Sequence, residues 1–578
     1  MTATSVLLSY QHQIQQFQTA LAALHSRQWL TLGIGVAAVA ITLALVISRR
    51  LPYCPLPLPV VAFCAHRYGR LQTRCSTLGR LRLFYERGAA RLQDQWAGQG
   101  ESGEEYERPG HLYARDLTLF GRGSLFERLC VARTEIGKRR LAACLQDPCP
   151  SINEIHARQT AIAELRDNTT LREQIATLGE NYQQAEAGTF SDWLSLSVQP
   201  FPRFLQLFAA CTSLVAASAL CLAIAGQLSQ LSLLSACAVQ AAIAWALRPR
   251  VATIILNARL LTVELNLVRD GVTLLASQRF RSPKLQSLTT AVQRAPRQLR
   301  RLAFLLCLLT ERNKEQFYLP ASVVLLGTQT AMAVEAWRAR NNTEMAGWLD
   351  AWAEFEALNA LACYAYENPE DPFPSLASSG AVFDARSLGH PLLPRRVCVR
   401  NDLRLPSLLV VSGSNMAGKS TLLRSIGVNA VLAFAGAPVR AASLRLSPFS
   451  LVASLNIPDA LADGKSCFLA EVERLRHALH LAVASPPVLF LIDEIFSGTN
   501  SADRHTAAEA VATALGNAGA IGAISTHDLA LTALPDATNW HMCARSAADP
   551  LDFDYLLKPG INTLSSAIAI ARLAGVPV

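Results

Sequence analysis

The stretch VVSGSNMAGKST, Val410–Thr421, decides how this chain is read. It fits the pattern G-x-x-x-x-G-K-[ST] through Gly413, Gly418, Lys419 and Ser420. An apolar run, LLVVS, leads into it, and a helix-forming run, TLLRSIGVNAVLAF, leaves it. Glycines at those positions let backbone N–H groups close around phosphate oxygens, and the following helix turns its N-terminus toward negative charge. Asn415, Met416 and Thr421 complete the predicted loop. Lys419 is placed to reach the terminal phosphates and the Ser420 hydroxyl to ligate Mg²⁺, so ATP and Mg²⁺ are the expected cofactors.

A loop of this form arises by chance, so its reading needs a second element. Roughly seventy residues later VLFLIDE reads as an apolar strand ending in Asp493 and Glu494. The first acid suits a Mg²⁺ held through water, and the second suits activation of an attacking water. An acidic pair after a strand otherwise reads as a helix N-cap, and the phosphate loop upstream displaces that reading. A third run, IGAIST, delivers His527, placed to sense a γ-phosphate; a lone His at a strand end would be structural. Glu494, His527 and Lys419 are therefore the expected catalytic residues. Short strand-type runs alternating with helices predict a parallel sheet with crossover helices, an α/β domain over 388–578.

The first half reads differently. At 578 residues the chain should hold several domains, and with 17% charged residues, 51% hydrophobic ones and mean hydropathy +0.23 it is too apolar for an ordinary soluble enzyme. It is too polar for a full polytopic transporter. A net charge of +9 suits nucleic acid, anionic lipid or the positive-inside rule alike. Fourteen cysteines with no CxxC pair read as buried thiols in a reducing cytosol. No cleavable signal peptide is expected, because a polar Gln-rich leader precedes the first apolar run.

Residues 1–28 read as an amphipathic helix. Trp29–Ile47 is an uncharged run closed by Arg49 and Arg50, long enough to cross a bilayer. The proline-rich run after it predicts either a second crossing or an interfacial segment, so 29–67 is an anchor of one or two helices, followed by a linker helix over 68–111. Residues 112–370 read as a helical domain. Within it, 204–247 holds two uncharged runs split by Gly226-Gln227 and flanked by Arg203, Arg248 and Arg250, a transmembrane hairpin with both ends in the cytoplasm. Two buried helices of a soluble core are the alternative. Phe317–Val334 carries Pro320 and several polar residues and reads as a packed core helix. The run ENPEDPFPSLASSG marks a boundary, with a linker over 371–387.

Several of these segments together resemble the MutS family. SGSNMAGKST is similar to that family's phosphate loop, with Ser414 in place of a proline. DALADGKSCFLAEV resembles its signature segment, matching at Ser466 and Glu471. LIDEIFSGTNSADR resembles its Walker B and D-loop, giving Gly498, Thr499 and Asn500, and STHDLA its His loop. GHPLLP and LFERLCVARTEIGKRRLAACL resemble the lead-in to the ATPase domain and the helical core and lever domain. The C-terminal run resembles the family's helical dimerisation region. The resemblance implies an all-α core and lever domain with inserted transmembrane helices, followed by an ABC-type ATPase working as a homodimer, with Ser466 and Glu471 serving the partner's nucleotide. It implies DNA as a partner, but no mismatch-reading domain or DNA clamp is found, so the chain looks like a membrane-bound branch of the family. A bacterial-type inner membrane location, multi-pass, with the ATPase domain cytoplasmic, follows. The residues leave open a nucleotide-dependent scaffold that binds no DNA. An ABC transporter is a third reading, opposed by the small number of crossings and the absence of LSGGQ.

Overall fold

The computed structural model describes residues 2–48, 53, 55–147, 151–179, 193, 198, 200–311, 321–414, 416–455, 467–483, 487–496, 501–546 and 552–561. Of the expected C-terminal helical dimerisation region, LKPGINTLSSAIAIARLAGVP, the part beyond Ile561 lies outside them. The chain divides into two compact units: Met1–Val131 with Arg139–Arg172 and Ala357–Val578, and Ala132–Lys138 with Glu173–Glu356.

In the first unit two long helices, Ala3–Ile47 and Leu58–Leu92, pack on each other. Thr2 and Ser5 form a reciprocal capping box that starts the first, satisfying amides a free helix end would leave bare. The amphipathic leader and the first apolar run are thus one helix. The second apolar run likewise continues into the expected linker helix, which stops at Leu92 and leaves 93–111 mostly irregular. Tyr10, Tyr85 and Tyr366 gather beside Gly88, where an added Cβ would sit 2.5 Å from the Tyr10 ring. The helical region expected over 112–370 is split, its first part joining the sheet-bearing unit. Asp116 accepts from Leu455 N at 2.7 Å and from Arg474 at 2.5 Å, and Gln159 Nε2 donates to Pro374 O at 2.9 Å.

Among the described residues ten strands follow: β1 (Ser375–Leu376), β2 (Phe383–Leu388), β3 (Asn401–Arg404), β4 (Leu408–Gly413), β5 (Ser443–Leu446), β6 (Ser450–Ser454), β7 (Val488–Asp493), β8 (Ile521–Thr526), β9 (Ala537–Met542) and β10 (Lys558–Pro559). A small sheet has the order β1-β5-β2-β3 and a larger one β10-β9-β4-β8-β7-β6. In the larger sheet every pairing from β9 to β6 is parallel, as the apolar runs predicted. The linker expected over 371–387 is corrected: β1 and most of β2 lie inside it. FDARSL alternates buried and exposed positions, a strand signal hidden by the surrounding Pro, Ser and Gly.

The second unit is helical, with Arg203–Ile224, Gln230–Ser277, Pro283–Val292, Ala295–Glu311 and the greater part of Leu326–Glu367. Gly271 lets two helices approach closely, since a Cβ there would meet the Trp352 ring at 2.3 Å. The expected hairpin is present as a helix pair, but its second helix runs thirty residues further than predicted, through Pro249. Three helical stretches among the described residues are long and apolar enough to cross a membrane: Ala3–Ile47, Arg203–Ile224 and Leu231–Ile255. Their outer faces are bare, with Trp29, Leu214 and Trp245 at least 70% exposed. Cys211, Cys221 and Cys307 are exposed as well, against the expectation of buried thiols, because apolar helices here turn much of their surface outward.

Glu356 is fully buried in this unit. Its carboxylate accepts from the Arg133 and Thr134 backbone N–H groups at 2.8 and 3.2 Å and from the Thr134 hydroxyl. Burial outweighs those bonds and pushes its pKa up to about 7 from 4.5. The folded chain therefore holds this proton more tightly than the unfolded chain, and the associated stability, present below pH 4.5, is lost as pH rises through 7. Between pH 4.5 and 8 a Glu356→Gln chain is expected to lose about 3 kcal/mol less stability than the parent. Urea unfolding at both pH values checks this; parallel pH profiles for the two chains would refute it.

Candidate functional site

The order β4-β8-β7 puts the ends of three parallel strands side by side, where open α/β sheets bind ligands. β4 is buried at all six residues and ends at Gly413, whose φ is 153°. A Cβ there would lie 2.3 Å from the Met542 carbonyl oxygen on β9, so only glycine fits between loop and strand. Met416 adopts φ 71° and stands 74% exposed on the loop. Gly418, at φ 99°, N-caps the helix Lys419–Phe434, which is almost wholly buried after its first turn. The loop is thus held rigidly at both ends, with a helix N-terminus facing its mouth.

Lys419 is buried, and its Nζ donates to the carbonyls of Gly413 at 2.9 Å and Ser414 at 3.0 Å. Burial lowers its pKa, while the charges of Asp493 and Glu494 draw it back up. Thr421 is exposed on the first helical turn. The Ser420 hydroxyl donates to Asp493 Oδ2, and the Ser525 hydroxyl donates to Asp493 Oδ1. Sheet register explains the second contact, because Asp493 of β7 lies directly opposite Ser525 of β8. Both carboxylate oxygens of Asp493 are therefore oriented before any ligand arrives.

Glu494 follows in a left-handed conformation, φ 53°, with its N–H donating to Ser525 O at 2.9 Å. This uncommon backbone for a non-glycine residue turns its side chain out of the strand line. His527 Nδ1 then lies 2.8 Å from Glu494 Oε1. Both side chains retain solvent access, as groups handling water and phosphate require.

Glu471, assigned by resemblance to a partner's nucleotide, has its carboxylate engaged within its own chain. It is buried, accepts from the Phe496 N–H at 2.9 Å, and has its pKa raised by that burial. Arg504 supports the same turn, donating to Phe496 O at 3.2 Å and lying 3.7 Å from Asp528. Asn415, Ser466, Gly498, Thr499 and Asn500 lie outside the described residues. Sequence reasoning missed Ser525, Phe496 and Arg504; only Ser525, one of two hydroxyls that end the apolar strand IGAIST, left a signal.

The described parts bring together one buried ammonium, one doubly oriented carboxylate, one hydroxyl and a carboxylate–imidazole pair. The chemistry of that set suits a polyphosphate and a water placed beside it.

Residues 409–578 match the family model of MutS domain V. The DNA mismatch repair protein MutS of Thermus aquaticus is 34% identical over 279 residues, which is 46% of this chain and 33% of that protein. That of Natronomonas pharaonis is 31% identical over 292 residues, 46% of this chain and 34% of that protein. That of Myxococcus xanthus is 27% identical over 556 residues, 84% of this chain and 60% of that protein. The chain thus spans about a third of the length of the first curated relatives it matches. Every side chain of the site just described falls within residues 409–578, the part of the chain that matches MutS domain V.

Proposed function

We propose that this chain is a membrane-anchored MutS-type ATPase in which ATP binding and hydrolysis close and open a homodimer, with DNA as the partner the motor acts on. The observation that carries the ATPase reading is the fixed group of Lys419, Ser420, Asp493, Glu494 and His527 at the carboxyl ends of β4, β7 and β8. In this reading the loop amides and Lys419 hold the β- and γ-phosphates. Glu494 takes the proton of the attacking water, with His527 orienting its carboxylate. Ser420 and Asp493 offer hard oxygen donors side by side, the type of set that Mg²⁺ accepts, and they would hold it. The ion's contribution is to neutralise phosphate charge. The substitution of this P-loop class for a generic phosphate site rests on the order of these elements and on the matched domain.

Three apolar helices with bare outer faces support the membrane anchor, at a bacterial-type inner membrane with the ATPase domain cytoplasmic. The names of the relatives, DNA mismatch repair proteins, support DNA. A scaffold that binds no DNA is favoured by one observation: Arg297, Arg300 and Arg301 are exposed on a helix that buries Leu299, Leu302, Leu306 and Leu309 on its other side, an ordinary solvated arrangement.

The deciding measurement is the ATPase rate of detergent-purified full chain with homoduplex, mismatched and branched DNA at two salt concentrations. Stimulation that fades with salt is the expected result. A rate indifferent to every DNA form would remove DNA from the proposal and leave the ATPase standing.

A further inference from the structure

Within the second unit, the helix pair Arg203–Ile224 and Gln230–Ser277 meets a break in the chain at Val324–Leu325. The Ala321–Val323 turn is helical, Leu325 takes φ 48°, and helix resumes at Leu326. The Val324 carbonyl exposed by the break is satisfied twice, by the Ser213 hydroxyl at 3.0 Å and by Gln329 Nε2 at 2.8 Å. Backbone interruptions are tolerated at apolar depth where such substitutes exist.

Beside this break lies a cavity of about 360 Å³, lined by Cys237, Gln240, Ala241, Ser322, Leu325 and Thr328 among others, none of them charged. Gln240 is only 4% exposed, and among the described residues neither its Oε1 nor its Nε2 has a hydrogen-bond partner. It sits near the middle of the apolar stretch Leu231–Ile255. Buried amides are almost always hydrogen-bonded, and an unpaired one facing a cavity calls for a group to occupy it.

We propose that this cavity is a ligand site for a neutral carboxamide or lactam with an apolar body, the amide edge pairing with Gln240. A side-chain amide offers one donor and one acceptor side by side, which a second amide matches with two hydrogen bonds. The alanine and leucine walls take the apolar body. A charged ligand is excluded because no lining residue neutralises it at low dielectric. The volume falls at the small end of ordinary ligand pockets, room for a compact molecule. The proposal does not rest on the ATPase reading.

Cys237 supplies the readout, because it lines the cavity. Full-length protein in detergent would be alkylated with N-ethylmaleimide, and the rate at Cys237 followed by peptide mass spectrometry, with Cys75 as the internal reference. Benzamide, an amide of fragment size expected to bind with Kd on the order of millimolar, is the probe. At about four times its Kd it should slow alkylation of Cys237 about fivefold and leave Cys75 unchanged. Benzoate, nearly the same shape but anionic, should not protect. Gln240→Leu and Ala244→Phe should each abolish protection, the first by removing the amide and the second by filling the space. No protection by benzamide, equal protection by benzoate, or protection that survives Gln240→Leu would overturn the proposal. A Gln240→Leu chain with a raised melting temperature and unchanged benzamide protection would show the amide to be an unpaired structural group only.

Discussion

A Glu494→Gln chain is expected to hydrolyse ATP about 10²–10⁴-fold more slowly than the parent while still binding it. The prediction follows from how this residue is held. Its backbone is fixed in the left-handed region and tied to Ser525 O at 2.9 Å, so a side chain of the same length will occupy the same place. What changes is chemistry: an amide cannot take a proton from water. His527, at 2.8 Å, will still find a hydrogen-bonding partner, so the local geometry survives the substitution. Binding depends on other groups, chiefly the loop amides and Lys419. A nucleotide-binding assay beside single-turnover hydrolysis separates the two. Hydrolysis kept within tenfold of the parent would place the base elsewhere and sink the assignment. Loss of binding together with rate would show instead that the carboxylate orders the loop.

The site was legible in sequence to the extent that its chemistry is local. Gly413, Gly418, Lys419 and Ser420 lie within eight consecutive residues, and one short pattern captures them. Asp493 and Glu494 were legible because an apolar strand has to stop somewhere, and a pair of acids at its end stands out. What the sequence could not show is the register that sets Asp493 opposite Ser525, since this depends on β8 lying between β4 and β7. The cis engagement of Glu471 was hidden for the same reason: its partner is a backbone N–H at Phe496, and backbone groups carry no sequence signal. The first half shows the converse. Apolar runs announced their helices, but their ends did not follow from composition. Leu58–Leu92 runs from an apolar segment into a charged one because helix continuity is set by backbone hydrogen bonding and by packing on Ala3–Ile47. The strands β1 and β2 were lost inside a stretch whose prolines and glycines dominate its average, although the alternation in FDARSL was present.

Removing either partner of the Arg91–Glu367 pair is expected to destabilise the first unit by about 3–5 kcal/mol. The pair is bidentate, Nη2 to Oε1 at 2.6 Å and Nε to Oε2 at 2.7 Å, with side chains 9% and 4% exposed. Burial opposes the charged form of Arg91, and the facing carboxylate more than reverses that, so Glu367 offsets the cost of holding a guanidinium at depth. The surroundings offer no substitute acid. Cys363 Sγ lies 3.8 Å from Arg91 Nη2 and its thiol is pushed up by the same burial, while Arg172 stacks over the Tyr366 ring at 4.6 Å and adds further positive charge. Glu367→Leu would therefore strand one cation beside another. Arg91→Met would strand an anion in a wall of tyrosines. The double variant leaves neither charge and fills the space with apolar atoms, so it should recover most of what each single change loses. Urea unfolding of the parent, both singles and the double gives the coupling energy directly. Single changes that each lose under about 1 kcal/mol would mean that water reaches the pair and screens it. A large loss in the double variant would locate the stability in the packing of Leu58–Leu92 against the end of Leu326–Glu367, independent of charge. The expected recovery instead makes the ion pair a device of register: it fixes which turn of the N-terminal helix pair meets the residue from which the chain enters the sheet.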